Sequence, residues 1–392
     1  MNINARIQRR RQETDSRRLV RDYEAISPVA HVEEPVGRGP AIERLLDHLD
    51  PVFNGTLPPN AYVHGPFGAG KSAVVTALFA QLERVSAQSR EAIQTTTRAR
   101  SSPTPWFVYV DLRETTSEFA FYHRVLNEVV EQTVPEHGVG TEEIRTRLHA
   151  ALRGASTGAV LAVDHVDAPD VMETGVDVVD LFAGLPSNVS WLAVGRRAPA
   201  ESQLSTYTAH DIPIERYQRR VLIDVLMTRA SNGLAQQALD HTLARRLAGW
   251  ADGNAHDALA ALFVAADRAE RRARDRLVEA DVEAAVEEVP HRSASLAAVL
   301  ALSANKRLVL RTLVDLDRSE RRSVTATTEA IASDPDVDLS AGTIKRYLYE
   351  MADVGVVERV QATEQTGKGR SPSRVELRFS PTVFRILYDL HR

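Results

Sequence analysis

Gly65-Pro66-Phe67-Gly68-Ala69-Gly70-Lys71-Ser72 is the stretch on which the fold turns. It fits the pattern G-x-x-x-x-G-K-[ST], and its flanks are the ones that pattern requires. Residues 60–64 read as a short buried strand, and residues 73–82 carry the spacing of a helix. In a strand, loop and helix of this kind, glycines let backbone N–H groups converge on a phosphate, and the helix N-terminus adds partial positive charge. Lys71 then reaches the outer phosphates and Ser72 ligates Mg²⁺, so residues 65–73, closing with Ala73, are expected to hold ATP or ADP. Lys71 is one of only four lysines, against a Lys and Arg total of 48, so its presence owes nothing to a lysine-rich composition.

At 392 residues the chain is long enough for two or three domains, each with a core of its own. It contains no cysteine, which excludes disulfides, Cys-ligated zinc and thiol catalysis and fits a reducing cytoplasm. No uninterrupted run of about 18 apolar residues occurs, so no membrane partner is expected. The net charge of −5 means that any nucleic-acid binding has to rest on local basic patches. One is a basic N-terminal arm, residues 1–34, whose first 22 residues hold seven arginines and three acids; Arg9, Arg10, Arg11, Arg17 and Arg18 read as a disordered tail touching phosphate.

Beyond the arm, residues 41–49 form a helix with Ile42, Leu45, Leu46 and Leu49 on one face. Residues 84–105, rich in Ser, Thr, Arg and Pro, read as an exposed connection to a strand at 106–111. Helices at 118–130 and 142–152, then strands at 159–163 and 191–194, complete an alternation that predicts a parallel sheet covered on both faces. This α/β domain is assigned residues 35–215. From Tyr217 the pattern becomes helical without strands, a lid over 216–292. The last segment, 296–392, begins with a helix to about residue 316, has a second around 325–331 and a third at 340–351. Ile344, Tyr347, Leu348 and Met351 should face its core, leaving Thr343, Arg346 and Glu350 outward. Strands at 356–361 and 373–379 flank a basic loop, Gly367-Lys368-Gly369-Arg370, and the whole reads as a winged helix.

Asp164 ends the third apolar strand, where a phosphate-loop enzyme places the acid that holds Mg²⁺ through water. The following position, where a carboxylate would activate the attacking water, is His165; it reads either as a substitute base or as a polar side chain packed beside the sheet. Thr343, Lys345, Arg346, Lys368, Arg370 and Arg374 are the candidate contacts to duplex DNA, with an ordinary solvated face or a protein-docking surface as the alternatives.

Taken in order, these elements resemble the archaeal origin-recognition and cell-division-control replication initiators, AAA+ ATPases with a C-terminal winged helix. The likeness is carried by residues 65–72, Asp164-His165-Val166-Asp167, the lid stretch 251–259 and residues 340–360 leading into the wing. The resemblance implies that Val36 and Arg38 border the adenine, that Tyr217 and His256 lie at the nucleotide from the lid, and that residues 117–130 are a helix touching DNA. The chain departs from the family pattern at four places. His165 stands for the catalytic glutamate, Gly195-Arg196-Arg197 for the polar sensor, and His256 for the lid's sensor arginine. Residues 203–207 lack an arginine that would act on a neighbouring copy. Arg196 or Arg197 is a candidate for compensation.

These readings predict a divergent initiator paralogue that binds DNA at origin-like sites in the cytoplasm, on the nucleoid, with nucleotide as conformational switch and weak hydrolysis. The alternatives are a nucleotide-dependent transcriptional regulator or signalling switch, and an active ATPase that loads a helicase. A replicative helicase and a second initiator copy are the protein partners this implies.

Overall fold

The computed structural model describes residues 18–95 (of 91–95 the backbone only), 104–115, 117–130, 132–153, 158–168, 171, 175–291, 293–361 and 373–391. The chain divides into two compact units. One lies within residues 31–216; the other joins residues 18–30 to the described residues from 217 onward.

The first unit begins with α1 (Gly39–Leu49), started by Pro40 in its first turn. Then come β1 (Ala61–His64), α2 (Lys71–Thr95), β2 (Trp106–Asp111), α3 (Glu118–Val129), α4 (Thr141–Arg153), β3 (Ala159–Asp164), the short α5 (Val178–Ala183), β4 (Val189–Gly195) and β5 (His210–Pro213). The strands form one parallel sheet in the order β2-β3-β4-β1-β5. Alternate residues enter opposite cores. Ala61, Val63, Val160, Ala162 and Leu192 pack against α1 and α2, whereas Tyr62, Leu161, Val163, Trp191 and Ala193 pack with Phe121, Tyr122, Ile144 and Leu148 of α3 and α4. Two buried faces explain why these strands read as continuous apolar runs.

Two features differ from the sequence expectation. The polar stretch after residue 84 is helix as far as Thr95, because its side chains tie back to the sheet. The Glu83 carboxylate accepts the Phe107 amide at 2.8 Å and pairs with Arg90, whose guanidinium stacks 3.7 Å from the Trp106 ring centroid. The sheet also gains β5 as an edge strand beside β1, too short and too polar to be read as one.

The second unit contains α6 (Arg219–Gly233), α7 (His241–Ala251), α8 (Ala255–Arg271) and α9 (Glu279–Glu288). It continues through α10 (Leu296–Ala301), α11 (Ala304–Asp315), α12 (Val324–Ala332), α13 (Ala341–Asp353), the antiparallel pair β6 (Val357–Gln361) and β7 (Ser373–Leu377), and α14 (Pro381–Leu390). The expected single helix from 296 to 316 is broken at Leu302 and Ser303. The lid and the C-terminal segment cluster together. Glu288 at the end of α9 accepts from Ser380 Oγ (2.6 Å), Thr382 N (3.1 Å) and Thr382 Oγ1 (3.1 Å) at the start of α14. Three helices followed by a two-stranded ribbon are the element order expected of a winged helix. Among the described residues no helix is long and apolar enough to cross a membrane.

Residues 19–30 of the arm are strapped to the lid. Leu19 and Ile26 are fully buried, Val20 bridges to Leu234, and the Glu270 carboxylate accepts the amides of Leu19 (2.7 Å) and Val20 (3.1 Å). The buried Arg229 donates to the carbonyls of Ser27 and Ala30. Arg9, Arg10, Arg11 and Arg17 lie outside the described residues. Glu270→Ala leaves two sequestered amides without an acceptor and should lower stability by about 2 kcal/mol. The urea midpoint reads this, and proteolysis near Arg21 should accelerate in parallel.

Candidate functional site

The loop that follows β1 is shaped by a close approach. A Cβ at Gly65 would lie 2.0 Å from the carbonyl oxygen of Ile214, just beyond β5, so only glycine fits there. Gly68 and Gly70 take φ of 75° and 76°, in the left-handed region that glycine enters without strain. The loop therefore curls back on itself, with Ala69 N donating to Pro66 O at 3.2 Å, and delivers the chain into α2 at Lys71. Lys71 is buried, 8% exposed, and its Nζ donates to Gly65 O at 2.7 Å and Pro66 O at 3.0 Å. Arg38, also buried, donates to Ala69 O at 2.5 Å, so it supports the loop directly, and the half-buried Val36 lies two residues before it. Burial holds the Lys71 ammonium down to about 8; Arg196 and Arg38 add to that push, and Asp164 and Asp167 oppose it. A buried cation at the N-terminus of a long helix, at the end of a glycine loop, fits an anionic phosphate.

The carboxylates stand at the ends of neighbouring strands. Register pairs Asp111 of β2 with Asp164 of β3. Asp164 is 1% exposed and accepts from Tyr109 Oη (2.9 Å) and from the amide of His165 (2.7 Å). Burial and the Asp164 charge raise the Tyr109 hydroxyl far above its ordinary value, which keeps it a donor. Asp111 is gripped by Arg113 through Nη2 (2.6 Å) and Nε (3.1 Å). Burial pushes its carboxyl up, but contact with His165 and Arg113 outweighs that and holds it well below the usual carboxylate range.

His165 stands at φ 64°, an uncommon conformation for a residue with a side chain, with Nδ1 3.1 Å from Asp111 Oδ1 and 3.5 Å from Asp164 Oδ1. Asp111, Arg113 and Tyr109 were not singled out in the sequence. The available signal was that 107–111 ends, like 160–164, in an apolar strand closed by aspartate.

Ser72 and Ala73 occupy the first turn of α2, which starts at Lys71, two residues earlier than the spacing suggested. Oxygen donors from Ser72 and Asp164 are of the kind Mg²⁺ takes. In the other unit, Tyr217 is buried and its amide donates to Gly253 O. His256 is 9% exposed in its side chain and engaged at both ring nitrogens. Nε2 accepts the Leu296 amide at 3.2 Å, and Nδ1 lies 3.3 Å from both Ser293 Oγ and Asp257 Oδ1. Its bonds therefore join the lid helix α8 to the start of the C-terminal segment.

On α13, Ser340 caps the helix by accepting from Thr343 N, and its hydroxyl also meets Thr343 Oγ1 at 2.9 Å. Ile344, Leu348 and Met351 are fully buried, whereas Tyr347, expected in the core, is half-buried with the Arg346 and Lys306 cations over its ring. Lys345 and Arg346 are exposed. Arg346 pairs with Glu350 at 3.1 Å and Arg374 with Glu376 through Nε at 3.0 Å, surface pairs weak enough for a phosphate to displace. Lys368 and Arg370 lie outside the described residues.

A nucleotide loop, a strand-end aspartate and a five-stranded parallel sheet define an ATPase domain, and residues 34–192 match the family model described as AAA ATPase domain. Over 369 residues the chain is 22% identical to the ORC1-type DNA replication protein of Thermococcus onnurineus, an alignment spanning 88% of this chain and 84% of that one. Its fold matches that of the Aeropyrum pernix ORC1 protein solved in complex with DNA, with a TM-score of 0.61 at 21% identity over 94% and 96% of the two chains. It also matches the Aeropyrum pernix ORC2 protein of the ADPNP-ADP complexes, at a TM-score of 0.52, 17% identity and 95% and 98% coverage. The chain carries an AAA ATPase domain and is similar along most of its length to ORC1-type DNA replication proteins, the resemblance that the order of its motifs implied.

The depressed Lys71 gives a signed expectation. Between about pH 8 and the ordinary lysine value of 10.5, the unfolded chain keeps a proton that the folded chain has lost, so this residue makes stability rise with pH across that window. Lys71→Met should remove that rise. Urea titrations of both proteins at successive pH values test it, and parallel curves would refute the assignment.

Proposed function

We propose that this protein is a replication initiator of the ORC1 type that binds duplex DNA at origin-like sites through a C-terminal winged helix. ATP or ADP acts as its conformational switch. The observation that carries the reading is the buried Lys71 inside a glycine loop, one strand away from the strand that ends in Asp164. Val36 and Arg38 on the base side, residues 65–73 on the phosphates, and Tyr217 and His256 from the lid are the proposed nucleotide contacts. Ser72 and Asp164 would hold Mg²⁺, which supplies charge neutralisation at the outer phosphates. The cations Lys345, Arg346, Lys368, Arg370 and Arg374, with Thr343, are the proposed contacts to DNA.

Turnover should be weak. An arginine supplied by a neighbouring copy is worth about 10³–10⁵ in rate, or roughly 4–7 kcal/mol of transition-state stabilisation, and residues 203–207 contain none. The water-activating carboxylate is likewise replaced by His165. Ground-state binding depends instead on loop amides, Lys71, Ser72 and Asp164, all of which are present. One observation favours the rival reading of an active ATPase: the approach of His165 Nδ1 to Asp111, which would orient the ring as a base.

Assaying bound nucleotide together with ATP turnover, with and without duplex DNA, separates the two. Retained nucleotide with negligible turnover supports the switch; brisk turnover abolished by Lys71→Ala overturns it. Duplex binding should weaken steeply with salt and fall on Lys345→Glu or Arg370→Glu, each substitution lowering the salt slope by about one. Binding insensitive to salt and to both variants would point to a protein-docking module.

A further inference from the structure

Strand β5 is four residues long and lies at the sheet edge beside β1. So short an edge strand depends on how its two ends are fastened. Its exit is fastened by Ile214, whose amide donates to His64 O at 2.7 Å and whose carbonyl oxygen backs Gly65. Its entry is fastened by two imidazoles. His210, the first residue of β5, is exposed, and its Nδ1 lies 3.2 Å from Nδ1 of His48 in the last turn of α1. The rings meet edge to face with centroids 5.4 Å apart, and His48 is buried, 8% exposed. At that separation one Nδ1 carries the hydrogen and the other offers its lone pair.

We propose that the His48–His210 pair is an acid-released clasp holding β5 against α1, and that its opening slackens the phosphate loop through Ile214. With both rings neutral, a single Nδ1–H bridges them. A first added proton is accommodated at Nε2 of the exposed His210, and the bridge becomes charge-assisted. A second has to enter the buried His48, which then loses its acceptor and stands as one cation against another. The charged groups on the elements around the pair are Glu43, Arg44 and Asp47 of α1, Asp50 after it and Asp211 of β5, all exposed, and His64 of β1, whose Nε2 lies 3.5 Å from Asp211. On α2, Lys71 is turned into the loop and Glu83 is taken by Arg90. None of these is what moves His48: burial lowers its imidazole, the His210 charge adds to that, and the Pro59 carbonyl opposes both. Between the lowered value and the ordinary 6.5, the unfolded chain binds a proton that the closed clasp refuses, so the stability held here rises with pH across that window and is lost on acidification. Once open, β5 keeps its ladder with β1 and the apolar anchors Ile212 and Ile214, and a shift of its exit withdraws the carbonyl that backs Gly65.

Hydrogen exchange of the full-length, nucleotide-free protein at about pH 7.5 and about pH 5, corrected for the intrinsic pH dependence of exchange, tests the clasp. The amides of Ala209 and Ile214, which donate to Asn60 O and His64 O, should lose about tenfold in protection at the lower pH, and the loop amide of Ala69 should lose protection with them, while those of β3 keep theirs. His48→Gln and His210→Gln should each abolish the difference. His210→Glu should reverse it, because a proton on His48 then completes an ion pair. Equal protection at both pH values, a loss that survives in both glutamine variants, or a loss spread evenly over the sheet would overturn the clasp. A loss at Ala209 and Ile214 with Ala69 unchanged would overturn its coupling to the loop. Every readout comes from the protein alone, so failure here leaves the nucleotide reading intact. Thermal melts at the higher pH confirm that each variant is folded.

Discussion

The carbonyl oxygen of Ile214 occupies the space where a side chain at residue 65 would stand, and much of the sheet unit depends on that contact. It presses the exit of β5 against the start of the phosphate loop, and Ile214 N reinforces it by donating to His64 O at 2.7 Å. With Gly65 pinned, the left-handed turns at Gly68 and Gly70 bring the chain round so that Lys71 enters α2 already buried. The edge strand is thus less a border of the sheet than a backstop for the loop. Its four residues matter for where they end.

The charges at the strand ends follow from the same compression. Lys71, Arg38 and Arg113 are buried or nearly so, and Asp111, Asp164 and Asp167 face them from β2, β3 and the turn after β3. A buried charge without a partner is expensive, so each acid is committed. Asp111 holds Arg113, Asp164 takes the Tyr109 hydroxyl and the His165 amide, and Asp167 anchors the turn at Arg196. Three aspartates that look alike in the sequence therefore serve as a counter-ion, a candidate metal ligand and a backbone clamp.

The phosphate loop, four of the five sheet strands, α12 and α13 were legible because each is written in a strong local pattern, whereas the break between α10 and α11 and the helix α14 were not. The misreadings have physical causes. Residues 84–95 look like a loop because they are polar, yet Glu83 and Arg90 convert polarity into attachment to β2. Residues 210–213 contain His, Asp and Pro, none of which favours a strand, and they pair only because β1 presents a free edge. Tyr347 sits at a core spacing on α13, but its hydroxyl and its cation neighbours keep it half out of the core. At the site, the glycine loop and Lys71 could be read from spacing alone. Asp111, the stack of Arg196 on Phe67 and the double engagement of His256 could not, since each depends on residues far apart in the chain.

The strap at residues 19–30 makes the second unit discontinuous: its first strip of chain is separated from its seat by the whole sheet unit, residues 31–216. On a ribosome the sheet unit can close its core first, while Leu19 and Ile26 wait, still exposed, for α6 and α8 to be made. The body carrying the lid is finished only when both ends of the chain are present. A fragment that starts after the strap, or stops before Glu270, would lack one half of that closure.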